Sequence, residues 1–240
     1  MNRRQRWHPR TQFVFTLLLS SLASVLLFAY GAYRNHSTEF SYLIWNLWLA
    51  WLPLLFAGWL VWVLQRNLWS SWGALGVTTL WLLFLPNSFY MVSDFIHLRD
   101  VQRVDVLYDA VMFTSFIFVG VVLGLTSLYL VHREFAKRFT RVGSTAWLAC
   151  IFVICGFAIY LGRDLRWNSW DVLTNPGGLL FDVSDRLLHP NSYPQMFLTI
   201  GIFFVLIGSM YSLAWKAVQI IRLTGGQPHY LANPRDQPKL

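Results

Sequence analysis

Six stretches of this chain are about 20 residues long, overwhelmingly apolar and uncharged in their middle. That is the length a helix needs to cross the hydrocarbon core of a bilayer. They cover residues 13–33, 43–64, 72–92, 108–131, 145–161 and 196–215. Lipid offers no hydrogen bonds to an exposed backbone, so unbroken apolar runs of this length cross it as helices. The expectation is an all-α, polytopic integral membrane protein. A bundle of six helices over 13–215 would lie between a basic N-terminal tail (1–12) and a C-terminal tail (216–240).

Composition bears on what the chain is not. Hydrophobic residues make up 56% of it and charged residues 12%, about half the charge of an ordinary soluble domain. An apolar content this high also argues against a disordered chain. The net charge of +8 invites a nucleic-acid reading, but no basic stripe on a soluble fold exists to carry it.

The basic residues instead sort by side. Thirteen of the 19 fall in the N-terminal tail, the second and fourth connections and the C-terminal tail, beside only Glu134 and Asp236. The other connections hold Arg34, Arg99, Arg103, Arg163, Arg166, Arg186 and nine acidic residues. The excess of Lys and Arg marks the cytoplasmic side, so both termini are expected there, with the arginines against anionic lipid headgroups. The first run is longer than the roughly 7 to 15 apolar residues of a signal peptide, and is read as an uncleaved helix.

Ionisable groups deep in a bilayer usually mark ion or proton routes. None falls near the middle of these runs, and the halves show no evident inverted repeat, which weighs against a small-solute transporter. Pro53 sits mid-run with Asn46 before it, predicting a kink. Trp45, Trp48 and Trp51, and the group Trp59, Trp62, Trp69 and Trp72, read as interfacial anchors. Cys150 and Cys155 lie five apart on one helix, on different faces, and read as packing residues.

The unusual polar residues gather on the side facing away from the cytoplasm. In the segment 85–98, Pro86 removes a backbone donor, so freed carbonyls need partners such as Asn87 or Ser88. If the helix resumes, Asn87, Tyr90, Asp94 and His97 share one face, and Asp94 and His97 are spaced to share a proton or a metal. Asp105 and Asp109 follow. In the segment 162–173, helical periodicity would align Asp164, Asn168 and Asp171, with Arg163, Arg166, Trp167 and Trp170 as a neighbouring stripe. Arginine beside tryptophan suits a phosphate or carboxylate.

Three readings stay open. Arg163 and Arg166 pair with Asp94, Asp109 or Asp171 as a structural network; or Asn87, Tyr90, Arg163, Arg166, Asn168 and Trp170 bind an anionic ligand; or Asp94, His97, Asp109 and Asp171 act as catalytic acids, bases or metal ligands. Paired-histidine spacing, a nucleophile elbow and a phosphate-cradling glycine loop are all missing, so no cofactor is assigned. The connection of about 34 residues after the fifth run is too long to be idle. Within it, Leu180, Val183, Leu187 and Leu188 oppose Asp182, Asp185 and Arg186, predicting a short helix on the membrane surface. That helix either roofs the polar cluster or is a loop tacked down by its leucines.

The sequence L85-P-N-S-x-Y-x-x-x-D94-F-x-H-L98, then Tyr108 and Asp109, then G162-R-x-x-R-W-N-S-W-D171 resemble the bacterial membrane family called domain of unknown function 1361. N46-L-x-L-A-W-L-P-L54 resembles that family's opening motif. The likeness extends over residues 46–212, with Phe89 in place of an expected proline and Ser93 in place of threonine. It implies a multi-pass bacterial inner-membrane protein and brings no activity. A structural, assembly or binding role is the leading expectation, with an enzyme acting on an anionic lipid-linked or periplasmic substrate as the alternative. No protein partner is implied.

Overall fold

The computed structural model describes residues 8–99 and 106–225. Expectations resting on Arg3, Arg4, Arg6, Arg103, Asp105, Arg235, Asp236, Lys239 and the side chain of Arg99 fall outside the described residues, as do most of both tails. The described residues are helical with no strand. In order they form α1 (Pro9–Asn35), α2 (Tyr42–Leu64), α3 (Trp72–Tyr90), α4 (Val106–Ala136), α5 (Arg141–Asp164), the single turn α6 (Asp171–Thr174), α7 (Pro176–Leu188) and α8 (Pro194–Gly225). Six helical spans are long and apolar enough to cross a membrane, and they coincide with the six runs read from the sequence.

The helices outrun those apolar stretches at their polar ends. Helix α1 starts at Pro9, where a fixed φ suits the first turn, with the His8 ring accepting from the Arg10 N–H. Helix α5, the shortest run in the sequence, gains a turn at each end: Thr140 caps it by accepting from the Gly143 N–H at 3.2 Å, and Arg163 falls in its last turn. Helix α8 continues through Gly225 into the stretch read as a tail. Helix α3 gives way at Tyr90 to a tighter 3-10 segment, Met91–Arg99.

Helix α4 is the hub. It packs against α1, α2, α3, α5, α8 and the 3-10 segment, α2 lies along α3, and α5 lies along α8. Lipid is as apolar as leucine, so association here comes from close packing and interhelical hydrogen bonds. Small residues permit the closest approaches. A Cβ on Gly124 would stand 2.8 Å from both Phe89 Cζ and Ser88 Cβ, and one on Gly156 would stand 2.9 Å from the Ile200 Cα of α8.

Hydrogen bonds join the helices at three levels. Trp51 Nε1 donates to Ser21 Oγ at 3.2 Å, tying α2 to α1. The fully buried Trp81 donates to Ser127 Oγ at 2.6 Å, and Ser127 donates onward to the Pro53 carbonyl at 3.1 Å, linking α3, α4 and α2. At the opposite end from the α3–α4 connection, the buried His132 bridges Tyr211 Oη at 2.6 Å and Ser144 Oγ at 2.8 Å, joining α4, α8 and α5. Large apolar side chains left exposed, among them Phe15, Leu18, Leu22 and Leu26 on α1 and Phe197, Ile202 and Val205 on α8, cover the outside of the bundle, as expected of a lipid-facing surface.

Candidate functional site

A proline lies inside each of two packed helices, Pro53 midway along α2 and Pro86 in α3, toward the end of the bundle that carries the α1–α2, α3–α4 and α5–α8 connections. A proline inside a helix strips the donor from one carbonyl and tilts its neighbours outward. Near Pro53 the Ala50 carbonyl accepts from Ser88 Oγ of α3 at 3.2 Å. Near Pro86 the Leu83 carbonyl accepts from Ser169 Oγ at 3.2 Å, and the Phe84 carbonyl accepts from Asn87 Nδ2 at 3.0 Å. Asn87 and Ser88 thus bond to carbonyls near the two prolines, Asn87 within α3 and Ser88 across to α2, but the carbonyl that Pro86 deprives of its donor is that of Leu82, which neither reaches. The second Asn87 bond, Nδ2 to Ser169 Oγ at 3.0 Å, draws the loop after α5 onto α3.

Between these elements lies a cavity of about 470 Å³, within the size range of small-molecule sites. Helix α2 contributes Tyr42, Trp45, Asn46 and Leu49, which follow one helical face. Helix α3 and its 3-10 extension contribute Leu83, Pro86, Asn87, Tyr90, Asp94 and His97. The end of α5, the following loop and the surface helices complete it with Gly162, Trp167, Asn168, Ser169, Val172 and Leu179 among others. Gly162 permits this closure, since a Cβ there would press within 3.3 Å of the Tyr90 ring and the Trp167 carbonyl.

Asp94 is the notable group in the wall. It is only 2% exposed, and its one hydrogen bond comes from Asn46 Nδ2 to Oδ2 at 3.1 Å. Among the described residues Oδ1 has no partner, and neither Arg163 nor Arg166 forms an ion pair with it. The Tyr42 hydroxyl is also buried without a partner, and the His97 ring stands against the Tyr42 ring at 5.4 Å.

The structure therefore brings together Asn87, Tyr90, Asp94, His97 and Asn168 of the residues singled out in the sequence. The others lie around them. Asp109 is buried in the first turn of α4. Arg163 points Nη1 at the Ser93 carbonyl at 3.5 Å. Arg166 is exposed, with a left-handed φ of 63°. Trp170 packs edge-on against Trp45 at 5.9 Å.

Asp171 is a local cap. It accepts from the Asn168 N–H at 2.6 Å and from Thr174 Oγ1 at 3.0 Å, and the Asn168 bond above all holds its carboxyl below the usual carboxylate range. The expected alignment of Asp164, Asn168 and Asp171 on one helix does not occur. Helix α5 ends at Asp164, and the chain turns through the left-handed Arg166 before α6 begins. The pairing of Arg163 or Arg166 with Asp94 or Asp171 does not occur either.

Tyr42, Trp45, Asn46 and Ser169 are polar or aromatic lining residues that the sequence did not single out for the site. Asn46 carried a signal, because an amide well inside an apolar helix needs a polar partner from elsewhere in the bundle. Nothing in the sequence foretold Ser169 as the partner of a helix some 80 residues away.

Helix α7 forms over Pro176–Leu188 as expected, with Asn175 capping it through the Gly178 N–H at 3.1 Å. Its attachment departs from the alternative of a loop tacked down by its leucines. Leu180, Phe181, Leu187 and Leu188 are exposed, while Arg186 is buried. Arg186 Nη1 donates to the Asp182 carbonyl at 2.8 Å and to its Oδ1 at 3.1 Å, and the guanidinium lies 4.8 Å over the Tyr193 ring. Tyr193 in turn donates to Asp185, which, with His189, holds the Asp185 carboxyl below its ordinary range. The helix is held by this charged face together with Leu179 and Val183, which pack against Tyr160, Leu161 and Met196, and it turns Leu180, Leu187 and Leu188 outward. Asp182 also accepts from Trp167 Nε1 at 2.7 Å, so α7 braces one wall of the cavity.

No group of three His, Cys, Asp or Glu able to hold a metal occurs among the described residues, and Asp94 and His97 stand as two possible ligands. A family model described as "Protein of unknown function (DUF1361)" matches residues 45–208. The chain belongs to that family. The match takes in every cavity-lining residue except Tyr42, while α1 lies outside it. No curated protein and no solved structure matches the chain.

Proposed function

We propose that this DUF1361 protein is a binding protein of a bacterial inner membrane. Both of its termini lie in the cytoplasm, and its cavity opens on the opposite face to hold a small polar ligand. The observation that carries this reading is the Asp94 carboxylate, nearly fully desolvated in the wall of an open cavity with one of its two oxygens unpartnered. Burying a charged group is costly unless charge or hydrogen bonds compensate it, and a site that holds a ligand is one place where that cost is met. The side carrying most of the Lys and Arg lies against anionic lipid headgroups in the cytoplasmic leaflet.

The test is native mass spectrometry of the full chain released gently from detergent. The wild type should retain a small molecule, and Asp94→Asn should lose it while remaining folded and monodisperse. Equal retention by both would overturn the reading. An enzymatic role is the second reading, favoured by Asp94 and His97 lining the same cavity, since an acid and an imidazole together can move a proton. A ligand recovered chemically altered by the wild type, but unaltered by His97→Gln, would favour it.

A further inference from the structure

The cavity's hydrogen-bonding character says what kind of ligand it takes. Asn46 directs its amide donor at Asp94. Asn87 directs its donor at the Phe84 carbonyl and at Ser169, and Ser169 directs its hydroxyl proton at the Leu83 carbonyl. The amide oxygens of Asn46 and Asn87 and the free Oδ1 of Asp94 remain as acceptors, beside the second amide proton of Asn46. Asp94 is the one acidic residue among the described residues of the lining.

Arg163 stands close enough to act on Asp94 through space but forms no ion pair with it. Arg163 turns toward the Ser93 carbonyl, and neither it nor Arg166 lines the cavity. His97 lines it but forms no ion pair with Asp94, its ring instead meeting Tyr42. Aromatic groups supply much of the remaining wall, in Tyr42, Trp45, Tyr90 and Trp167. Their faces are negative, and they attract a cation within about 6 Å of the ring centroid. The Tyr42 hydroxyl, buried without a partner, adds a further acceptor.

We infer that this cavity binds the primary ammonium group of an aminoalkyl ligand, seated on Asp94 between the aromatic side chains and the two asparagine oxygens. An ammonium offers three donors and one positive charge, matching what the cavity presents. The inference rests on the binding function proposed above and gives that site its ligand class. The ammonium belongs either to the headgroup of an aminophospholipid or to a free small amine, and both present the same chemistry to Asp94.

The experiment uses the full chain in nanodiscs of mixed phosphatidylethanolamine and phosphatidylglycerol, released for native mass spectrometry. A parallel arm measures thermal stabilisation in detergent by ethanolamine, as expected for a ligand that binds only the folded state. A lipid source gives retention of phosphatidylethanolamine over phosphatidylglycerol by roughly tenfold, equivalent to about 1.4 kcal/mol. A free-amine source gives stabilisation by ethanolamine without lipid preference.

In either case Asp94→Asn, an isosteric change, should abolish the effect. Tyr42→Phe, which removes one hydroxyl and leaves the packing, should weaken it by several-fold. Retention of phosphatidylglycerol or of an uncharged molecule in an Asp94-dependent manner would overturn the ammonium assignment while the binding function stood. The absence of any Asp94-dependent ligand would overturn both.

Discussion

At the scale of single residues, polar side chains in this bundle act chiefly by repairing backbone or by holding one another in place. Ser127 is the clearest case, accepting from Trp81 and donating to the Pro53 carbonyl in a fully buried position. Ser127→Ala removes one hydroxyl and leaves the buried Trp81 indole N–H without its acceptor. A loss of about 1 to 3 kcal/mol is expected, read as a lower midpoint of unfolding in denaturing detergent, whereas Thr126→Ala, a residue that only bonds back within its own helix, should change little. The exposed carboxylates give a pH dependence of definite sign. Asp171 and Asp185 both have folded-state affinities for protons below the ordinary value. Their contribution is therefore complete above the unfolded value of about 4 and fades as pH falls through the lower folded value. The α6–α7 region should loosen reversibly below about pH 4, seen as faster amide exchange there, and Asp171→Asn should show part of that loosening already at neutral pH. Exchange in α6–α7 that stays constant down to pH 2 would contradict this.

At the scale of elements, contact distance decides which glycines matter. Gly156 faces the backbone of α8, where an added Cβ would stand 2.9 Å from Ile200 Cα, while Gly201 has open space around it. Gly156→Ala should destabilise by about 1 to 3 kcal/mol through overpacking. Gly201→Ala should be neutral or stabilising by about 0.5 to 1 kcal/mol, because alanine loses less entropy in a helix. Opposite signs in one unfolding assay would confirm that α5 and α8 are held by close backbone approach. Helix α7 gives a second expectation. Arg186→Met should release the charged face from Asp182 and Tyr193 and raise amide exchange across Pro176–Leu188 by on the order of tenfold, with the spanning helices unchanged. The elements were largely legible in the sequence, because a bilayer demands apolar runs of one length. Their ends were less so: α5 looked short because Arg141 and Arg163 flank its apolar stretch, yet capped helices continue through such residues toward the headgroups. Periodicity also failed after α5, where the left-handed Arg166 breaks the face on which Asp164, Asn168 and Asp171 were expected to meet.

At the scale of the whole molecule, the six helices carry a polar cavity at one end and a buried histidine bridge at the other. The sequence located the polar end and named Asn87, Tyr90, Asp94, His97 and Asn168 within it. It missed the contribution of α2, because Asn46 acquires meaning only when a residue 48 positions later comes to meet it, and no local pattern encodes that meeting. It also placed arginines in the site, since they sit beside cavity residues in the chain, whereas neither lines the cavity and Arg163 reaches only the Ser93 carbonyl beside Asp94. What remains is the arrangement of this end relative to the cell. Cysteine labelling with a membrane-impermeant maleimide in intact cells tests it most directly. His97→Cys at the exposed rim of the cavity should react from outside, and Arg138→Cys in the α4–α5 connection should react only after the membrane is permeabilised. Labelling of position 138 but not 97 from outside would place the cavity toward the cytoplasm and contradict the account.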